Sequence, residues 1–218
     1  MQAFDTGRFK GLIEEGYTVI DTRNPEAFCD GFIEESISIP FNDSFVDNYD
    51  ELTQPGQRII LVTEAEHTTA VFRALKAAAI DSAEGYLEGG FAAWQEAGHE
   101  VDMLISIDAD EFAMDFNYDE FYLVDVRSKE DFAKEHAEDA ENIALNDLEQ
   151  LLIELDNQES YYVYGNTAAD AVTAGSIFKR TGFGRVRVVA AEYDVIKQTG
   201  IPLFVQKKKD KEGKTSDN

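Results

Sequence analysis

The 218-residue sequence has little cysteine and little histidine: Cys29 is its single cysteine, and His67, His99 and His136 are its three histidines. One cysteine cannot form a disulfide within the chain, so we expect a fold without a disulfide framework in a reducing compartment. None of the histidines lies in an H-x-H or H-E-x-x-H pattern. With one cysteine they give no recognisable zinc spacing, so the sequence predicts no metal and no cofactor.

Long apolar runs are also missing. No stretch of about 18 apolar residues, the length that crosses a bilayer, occurs in the sequence. The amino-terminal residues 1–8 are too polar for a signal peptide. We therefore expect a soluble cytoplasmic protein of bacterial type that has no membrane partner.

Positive charge is scarce. The sequence has 44 acidic and 19 basic residues, a formal net charge of −25. Five of the lysines lie between residues 207 and 214, so residues 1–205 carry 41 acidic and 14 basic residues. Such an acidic body repels nucleic-acid phosphates and anionic lipids, which excludes nucleic acid as an expected partner. The Lys-rich segment 206–218 is polar throughout, and we expect it to be a disordered tail.

The sequence repeats itself once. Residues 17–28 (YTVIDTRNPEAF) recur as residues 121–132 (FYLVDVRSKEDF), at an offset of 104 residues. Further on, residues 59–63 (IILVT) correspond to residues 161–165 (YYVYG), at an offset of 102 residues. We therefore predict two domains of one kind, at residues 1–103 and 104–205.

Each repeat alternates short apolar strands with helical segments. In the first copy we predict strands at residues 17–20, 36–39, 58–62 and 84–86, and helices at about residues 69–79 and 90–98. Continuous apolar strands between helices indicate an α/β fold with a mainly parallel sheet covered on both faces. The joint at residues 102–108 has neither Gly nor Pro, so we expect the modules to pack together as a pseudo-symmetric pair.

Several motifs resemble those of the rhodanese-like (sulfurtransferase) domain, in tandem. The first copy has Asp21-Thr22-Arg23, and above all residues 86–94 (YLEGGFAAW), the most characteristic segment of that family. The second copy keeps Asp125-Val126-Arg127 but has residues 190–193 (AAEY) at the glycine-rich position. The pattern is similar to the rhodanese pair appended to metallo-β-lactamase-fold hydrolases of the persulfide dioxygenase type, whose H-x-H-x-D-H metal motif this sequence lacks.

The resemblance implies where sulfur chemistry would take place. An active rhodanese carries a persulfide on a cysteine at the end of the fourth strand, where a helix N-terminus and converging amides stabilise the thiolate. The matching positions here are Thr63 and Gly165, neither of which has a thiol. The resemblance therefore predicts two modules without the catalytic cysteine.

The loops after these positions are the candidate binding sites. Loop 1 is residues 63–68 (TEAEHT) and loop 2 is residues 165–170 (GNTAAD). Neither contains Lys or Arg, and carboxylates in loop 1 would repel an anionic sulfur donor. The candidate binding residues are Thr63, Glu64, Glu66, His67, Thr68, Gly165, Asn166 and Thr167.

Cys29 and the Asp-x-Arg motifs have simpler structural interpretations. Cys29 lies between Glu26 and Asp30, which raise a thiol pKa, so it is expected to be a small helix residue of modest burial. For Asp21 and Asp125 we expect hydrogen bonds from local backbone amides. We expect Arg23 and Arg127 to pair with Glu26 and Glu130.

The sequence thus favours a non-catalytic binding or regulatory module in sulfur metabolism. An active sulfurtransferase that uses Cys29 or a partner's thiol is the alternative, and a hydrolase or phosphatase built on the same loops is a third. The expected partner is a separate metallo-β-lactamase-fold hydrolase or another protein of sulfur metabolism.

Overall fold

The computed structural model describes residues 1–118 and 120–206; the expected disordered tail therefore lies, except for Gln206, outside the described residues. The first module alternates strands and helices in chain order. Its elements are β1 (Gln2–Phe4), α1 (Thr6–Glu14), β2 (Thr18–Asp21), α2 (Pro25–Cys29), β3 (Ile37–Ser38), α3 (Phe45–Leu52), β4 (Ile59–Val62), α4 (Thr68–Ala77), β5 (Ala83–Leu87) and α5 (Gly90–Glu96).

The strands of the first module form one parallel sheet in the order β1-β5-β4-β2-β3. The apolar strand β4 is central and fully buried, as expected for a parallel strand covered on both faces. Its pairing with β2 places Asp21 beside Val62, so the ends of both strands meet at one edge of the sheet. The short edge strand β1 has no counterpart among the strands predicted from the sequence, because three residues are too few for a periodic pattern.

The second module repeats this plan. Its elements are β6 (Ile105–Ile107), α6 (Ala109–Asp115), β7 (Tyr122–Asp125), α7 (Lys129–Lys134), β8 (Glu135–Ala137), β9 (Glu141–Asn142), α8 (Leu148–Leu151), β10 (Tyr161–Tyr164), α9 (Ala168–Arg180), β11 (Val186–Val189), α10 (Tyr193–Gln198) and β12 (Leu203–Val205). The parallel sheet has the order β6-β11-β10-β7-β9. Strands β8 and β12 form a separate antiparallel pair.

Helices cover both faces of each sheet, and one apolar core joins the modules. In the first module, α1 and α5 cover one sheet face and bury Phe9 and Trp94 there. In the second, α6 and α10 cover the matching face. The opposite faces of both sheets belong to a single cluster of buried apolar side chains that includes Val71 of α4 and Phe178 of α9. Because a core of this kind is continuous, it holds the modules together.

The modules pack through β3 and α9. The Ser38 amide, on the free edge of the first sheet, donates to Ser176 Oγ at 3.0 Å, and the Lys179 ammonium lies 2.9 Å from the Asp102 carboxylate. Packing of the two modules was expected, but a pseudo-symmetric pair was not the right expectation. No comparable packing joins α4 to β9 within the described residues, and α9 is both longer than α4 and buried along most of its length.

Candidate functional site

Loops 1 and 2 follow the central strand of their respective sheets. Thr63 comes directly after β4 and Gly165 directly after β10, and each loop leads into the next helix, α4 or α9. In parallel α/β sheets ligands bind at this carboxyl edge. The structure therefore places both sets of predicted binding residues at the carboxyl edge of their sheets, one set in each module.

Hydrogen bonds close loop 1 on itself. The hydroxyls of Thr63 and Thr68 lie 2.6 Å apart, and the Thr68 hydroxyl donates to the Glu64 carbonyl at 3.1 Å. Because Thr68 uses its proton on that carbonyl, Thr63 is the donor between the two hydroxyls. Both threonines are buried. The Thr63 oxygen thus faces another hydroxyl rather than a base that could activate it.

The charged side chains of loop 1 point outward. Glu66 and His67 are exposed and Glu64 is half-buried. The His67 ring lies against Phe41, with 5.8 Å between the ring centroids. Within the described residues neither Glu64, Glu66 nor His67 forms an ion pair, so the two carboxylates of loop 1 stay uncompensated.

Loop 2 leaves no space for a side chain at its first position. A Cβ built on Gly165 would lie 2.5 Å from Asp170 Cβ and 3.4 Å from a methyl carbon of Val126. Asp170 is held in place by a capping box, in which its carboxylate accepts from the Thr167 amide and its own amide donates to the Thr167 hydroxyl. The Asn166 carbonyl accepts from the Tyr193 amide at 3.0 Å. Loop 2 is therefore tied to both α9 and α10.

The glycine-rich turn of the first module packs against loop 1. Gly89 and Gly90 have φ values of 76° and 62°, a backbone region that favours glycine. A Cβ on Gly90 would lie 3.0 Å from the Thr63 carbonyl oxygen. At the matching place of the second module, Ala190 and Ala191 follow β11. In the second module the segment after β11 instead meets its loop through the Tyr193 amide, which donates to the Asn166 carbonyl.

The two Asp-x-Arg motifs form buried ion pairs with one geometry. Arg23 Nη2 lies 2.6 Å from Asp21 Oδ2, and Arg127 Nη2 lies 2.6 Å from Asp125 Oδ2. Both carboxylates also accept from the amide two residues on, as expected from the sequence.

The predicted arginine partners, Glu26 and Glu130, were wrong. Each guanidinium binds its own motif's aspartate and a backbone carbonyl, that of Gly31 or Glu135, because a buried arginine needs a partner of equal burial. Each also lies over an aromatic ring, with 4.0 Å to the Phe91 centroid for Arg23 and 3.5 Å to the Tyr193 centroid for Arg127. The motif therefore attaches the strand end to the last helix of its module.

A cavity of about 640 Å³ lies at the junction of the modules. The first module contributes α2, with Cys29 between Glu26 and Asp30, and the second contributes Ala168 and Val172 of α9. The remaining lining residues are Asn24, Pro25, Ser106 and Ala190. The structure thus brings Cys29, distant from both loops in sequence, to the carboxyl edge of the second sheet beside loop 2.

The Cys29 thiol is held in its neutral form. Burial raises its pKa to about 11, the Asp30 carboxylate adds to the rise, and a hydrogen bond with Ser106 opposes it. The cavity could not be predicted from the sequence, because the register of α2 against α9 depends on how the modules dock. Cysteines are usually buried. Cys29, on a helix as short as α2, was therefore the one signal in the sequence that another element covers this helix.

Metal and membrane features can be stated for the described residues. Among residues 1–118 and 120–206, no group of three or more His, Cys, Asp and Glu side chains is arranged to hold a metal ion. No helix in the same part of the chain has the length and apolar character needed to cross a membrane.

Comparison with known proteins defines the class. The fold and the paired loops describe a tandem of α/β modules, and the model of the rhodanese-like domain matches residues 5–97 and 108–199. The chain therefore belongs to the rhodanese-like domain family and contains two copies of the domain. A search of curated protein sequences finds no match.

Solved structures resemble either one module or the pair. A solved chain of the Alr3790 protein from Anabaena sp. is 22% identical, with a TM-score of 0.43, over 45% of this chain and 91% of that chain. The full-length protein from Lactobacillus plantarum is 22% identical, with a TM-score of 0.42, over 47% of this chain and 88% of that protein. Thiosulfate sulfurtransferase from Pseudomonas aeruginosa is 13% identical, with a TM-score of 0.41, over 94% of this chain and 44% of that enzyme.

Proposed function

We propose that this tandem rhodanese-like protein lacks the catalytic cysteine in both modules and acts as a non-catalytic binding or regulatory module in sulfur metabolism. The observation that carries the proposal is the geometry of the two loops. In loop 1 the Thr63 hydroxyl is bonded to Thr68, and in loop 2 Gly165 has no space for a side chain. A sulfur carrier needs an accessible thiolate at this position, so neither loop supports the transfer step.

Electrostatics supports the same proposal. Rhodanese donors are anions, and such a donor is held by a cation or by converging backbone amides. Glu64 and Glu66 give loop 1 a negative charge, and residues 165–170 contain Asp170 and no cation. Because like charges repel most strongly where water is partly excluded, both loops disfavour a persulfide or thiosulfate anion.

The proposed partner is a separate metallo-β-lactamase-fold hydrolase of the persulfide dioxygenase type. Its support is the likeness of residues 60–64 and 85–90 to the modules appended to such enzymes. A titration of the chain into a hydrolase of this type that lacks its own rhodanese modules tests it. We expect saturable binding, and a hydrolase that binds no more of this chain than of an unrelated acidic protein would contradict the pairing.

Sulfur transfer through Cys29 is the second candidate. The junction cavity favours this candidate, because the Cys29 thiol lines the cavity beside loop 2. The raised thiol pKa opposes it, because only about one ten-thousandth of a thiol with a pKa of about 11 is ionised at pH 7.

Thiosulfate-to-cyanide sulfur transfer separates the two candidates. The purified chain and its Cys29→Ala variant should show the same background rate, and the intact mass after incubation with thiosulfate should not increase by one sulfur atom. Turnover that disappears in Cys29→Ala, or a persulfide found on Cys29, would establish the second candidate and refute the first.

A further inference from the structure

The contact between the two modules joins unlike surfaces. It brings the edge strand β3 of the first module against α9 of the second. At the end of α9, Arg180 Nη1 donates to the Glu35 carbonyl at 3.4 Å. Because each module carries both an edge strand and a helix of this kind, one strand edge and one helix face remain unused. These are β9 of the second module and α4 of the first.

Matching hydrogen bonds show which residues of α4 are equivalent to residues of α9. Ile80 donates to the Leu75 carbonyl after α4, as Phe183 donates to the Phe178 carbonyl after α9. This alignment matches Arg73 of α4 with Ser176 of α9. It also matches Lys76 with Lys179.

The strand edges align in the same way. Ile143 donates to the Asp125 carbonyl as Ile39 donates to the Asp21 carbonyl, so Asn142 is equivalent to Ser38. Since backbone direction alternates along a strand, the Asn142 amide points away from β7. In the described part of the chain β9 pairs with β7 alone. The edge that Ser38 offers to Ser176 therefore has an open counterpart at Asn142.

The two unused surfaces carry opposite charges. Arg73 and Lys76 are exposed on α4, whereas Glu138, Asp139 and Glu141 are exposed at the start of β9. Within residues 1–118 and 120–206 none of these five side chains forms an ion pair. A cationic helix face is uncommon in a chain with 44 acidic and 19 basic residues. Acidic side chains that served only to prevent β9 from pairing with another strand would not need a cationic surface elsewhere on the chain.

The charges also agree in position. Inside the chain, the end of α9 meets the turn at Glu35 and its middle meets Ser38. Asp139 is equivalent to Glu35, and both have a φ of 63°. If α4 of another molecule met β9 in the same way, Ala77 would take the position of Arg180 at this turn, and the adjacent Lys76 would lie beside Glu138 and Asp139. Arg73 would face Glu141 and Asn142.

We propose that α4 of one molecule docks on the β9 edge of a second copy of this chain, so that the internal contact between modules is repeated from molecule to molecule. The contact joins unlike surfaces, so each copy has one of each and the association is head-to-tail. The Arg73 side chain is longer than that of Ser176, so α4 would lie farther from β9 than α9 lies from β3. Ion pairs would then take the place of the hydrogen bond between Ser38 and Ser176. The net charge of −25 opposes the contact at low salt, and exposed ion pairs are screened at high salt.

Weight-average mass against concentration, by sedimentation or light scattering, tests the proposal on the full chain. At about 0.15 M salt, where the Debye length is about 8 Å, we expect mass to rise with concentration. The rise should disappear at about 1 M salt. A chain that stays monomeric up to millimolar concentration, or an association that high salt leaves unchanged, would overturn the proposal.

Charge reversal distinguishes the local contact from the overall charge. Arg73→Glu with Lys76→Glu should abolish the rise in mass, and so should Glu138→Lys with Glu141→Lys. The second variant is less negative overall, so an effect of net charge alone would strengthen its association instead. Mixing the two variants should restore association, because each then supplies the complement of the other.

A matched control removes the same charge elsewhere. Lys10→Glu with Arg185→Glu reverses two cations that are exposed and have no ion pair within the described residues. It should associate as the natural chain does. Equal loss in this control, or no recovery in the mixture of the two test variants while circular dichroism shows all variants folded, would contradict docking of α4 on β9.

Discussion

Thr63 and Gly165 occupy equivalent positions of the two modules in different ways. The Thr63 hydroxyl is retained but bonded within its loop. Gly165 has no side chain, and the adjacent Asp170 occupies the space that one would need. Restoring a thiol at either position would therefore have to displace an existing contact, a hydroxyl in one module and a helix cap in the other.

Replacing Gly165 with alanine should destabilise the protein. The added methyl would overlap Asp170 Cβ, and overpacking of this kind costs about 1–3 kcal/mol. Gly184→Ala is the control, since a Cβ there has no atom within 4 Å, and it should change the free energy of unfolding by less than about 0.5 kcal/mol. Urea unfolding measures both. Equal effects at the two glycines would show that loop 2 adapts at no cost.

The Cys29 thiol should react slowly with an alkylating agent at neutral pH. Its pKa is raised to about 11, so the rate constant should keep increasing with pH well above 9. Since the folded state favours the neutral thiol, this preference stabilises the protein fully at pH values below the pKa of the thiol in the unfolded chain. This stabilisation is lost as pH rises through about 11. Asp30→Asn should lower the pKa yet leave it above its ordinary value, because burial is the larger cause. A rate that levels off below pH 9 would contradict this.

At the scale of single elements, most strands and helices could be predicted from the sequence. The strand predicted at residues 58–62 is β4 (Ile59–Val62), and the helix predicted at 69–79 is α4 (Thr68–Ala77). Both follow from a buried apolar run and a 3.6-residue period. The antiparallel pair β8 and β12 could not be predicted, because each has three residues and their pairing joins residues 66 or more positions apart.

The capping box of α9 should stabilise the second module. Thr167 accepts from the Asp170 amide through its hydroxyl, and loss of such a cap costs about 1 kcal/mol. We expect Thr167→Ala to lower the free energy of unfolding by this amount. Ser44 begins α3 without a side-chain cap, so Ser44→Ala should have a much smaller effect. Hydrogen exchange should also become faster at the first amides of α9. Equal costs for both variants would contradict a role for the cap.

At the scale of the whole molecule, the repeat predicts two modules but not how they dock. Of the four apolar residues in the joint, Leu104 and Ile107 are buried, whereas Met103 and Ile105 are exposed, so the fixed contact depends on only part of the joint. The choice of β3 and α9 depends on side chains such as Ser38 and Ser176, whose fit is visible only in three dimensions. The same holds for the junction cavity, since Cys29 and Ala168 come together only through docking. Sequence patterns report the period of an element and not its partner across a module boundary.

The two modules should unfold in one cooperative transition. A single cluster of buried side chains extends through both, so neither half can lose its core without exposing part of the other's. Trp94 is the only tryptophan and lies in the first module. Its fluorescence therefore reports that module alone, whereas circular dichroism reports both.

Ile196→Val, in the second module and away from the junction, should cost about 0.5–1.5 kcal/mol. We expect the Trp94 transition to shift to lower urea concentration by the same amount as the circular dichroism transition. Ile60→Val, its counterpart in the core of the first module, should move both signals in the same way. If Ile196→Val left the Trp94 transition in place while circular dichroism showed an earlier step, the modules would unfold independently. The shared core would then contribute too little to couple them.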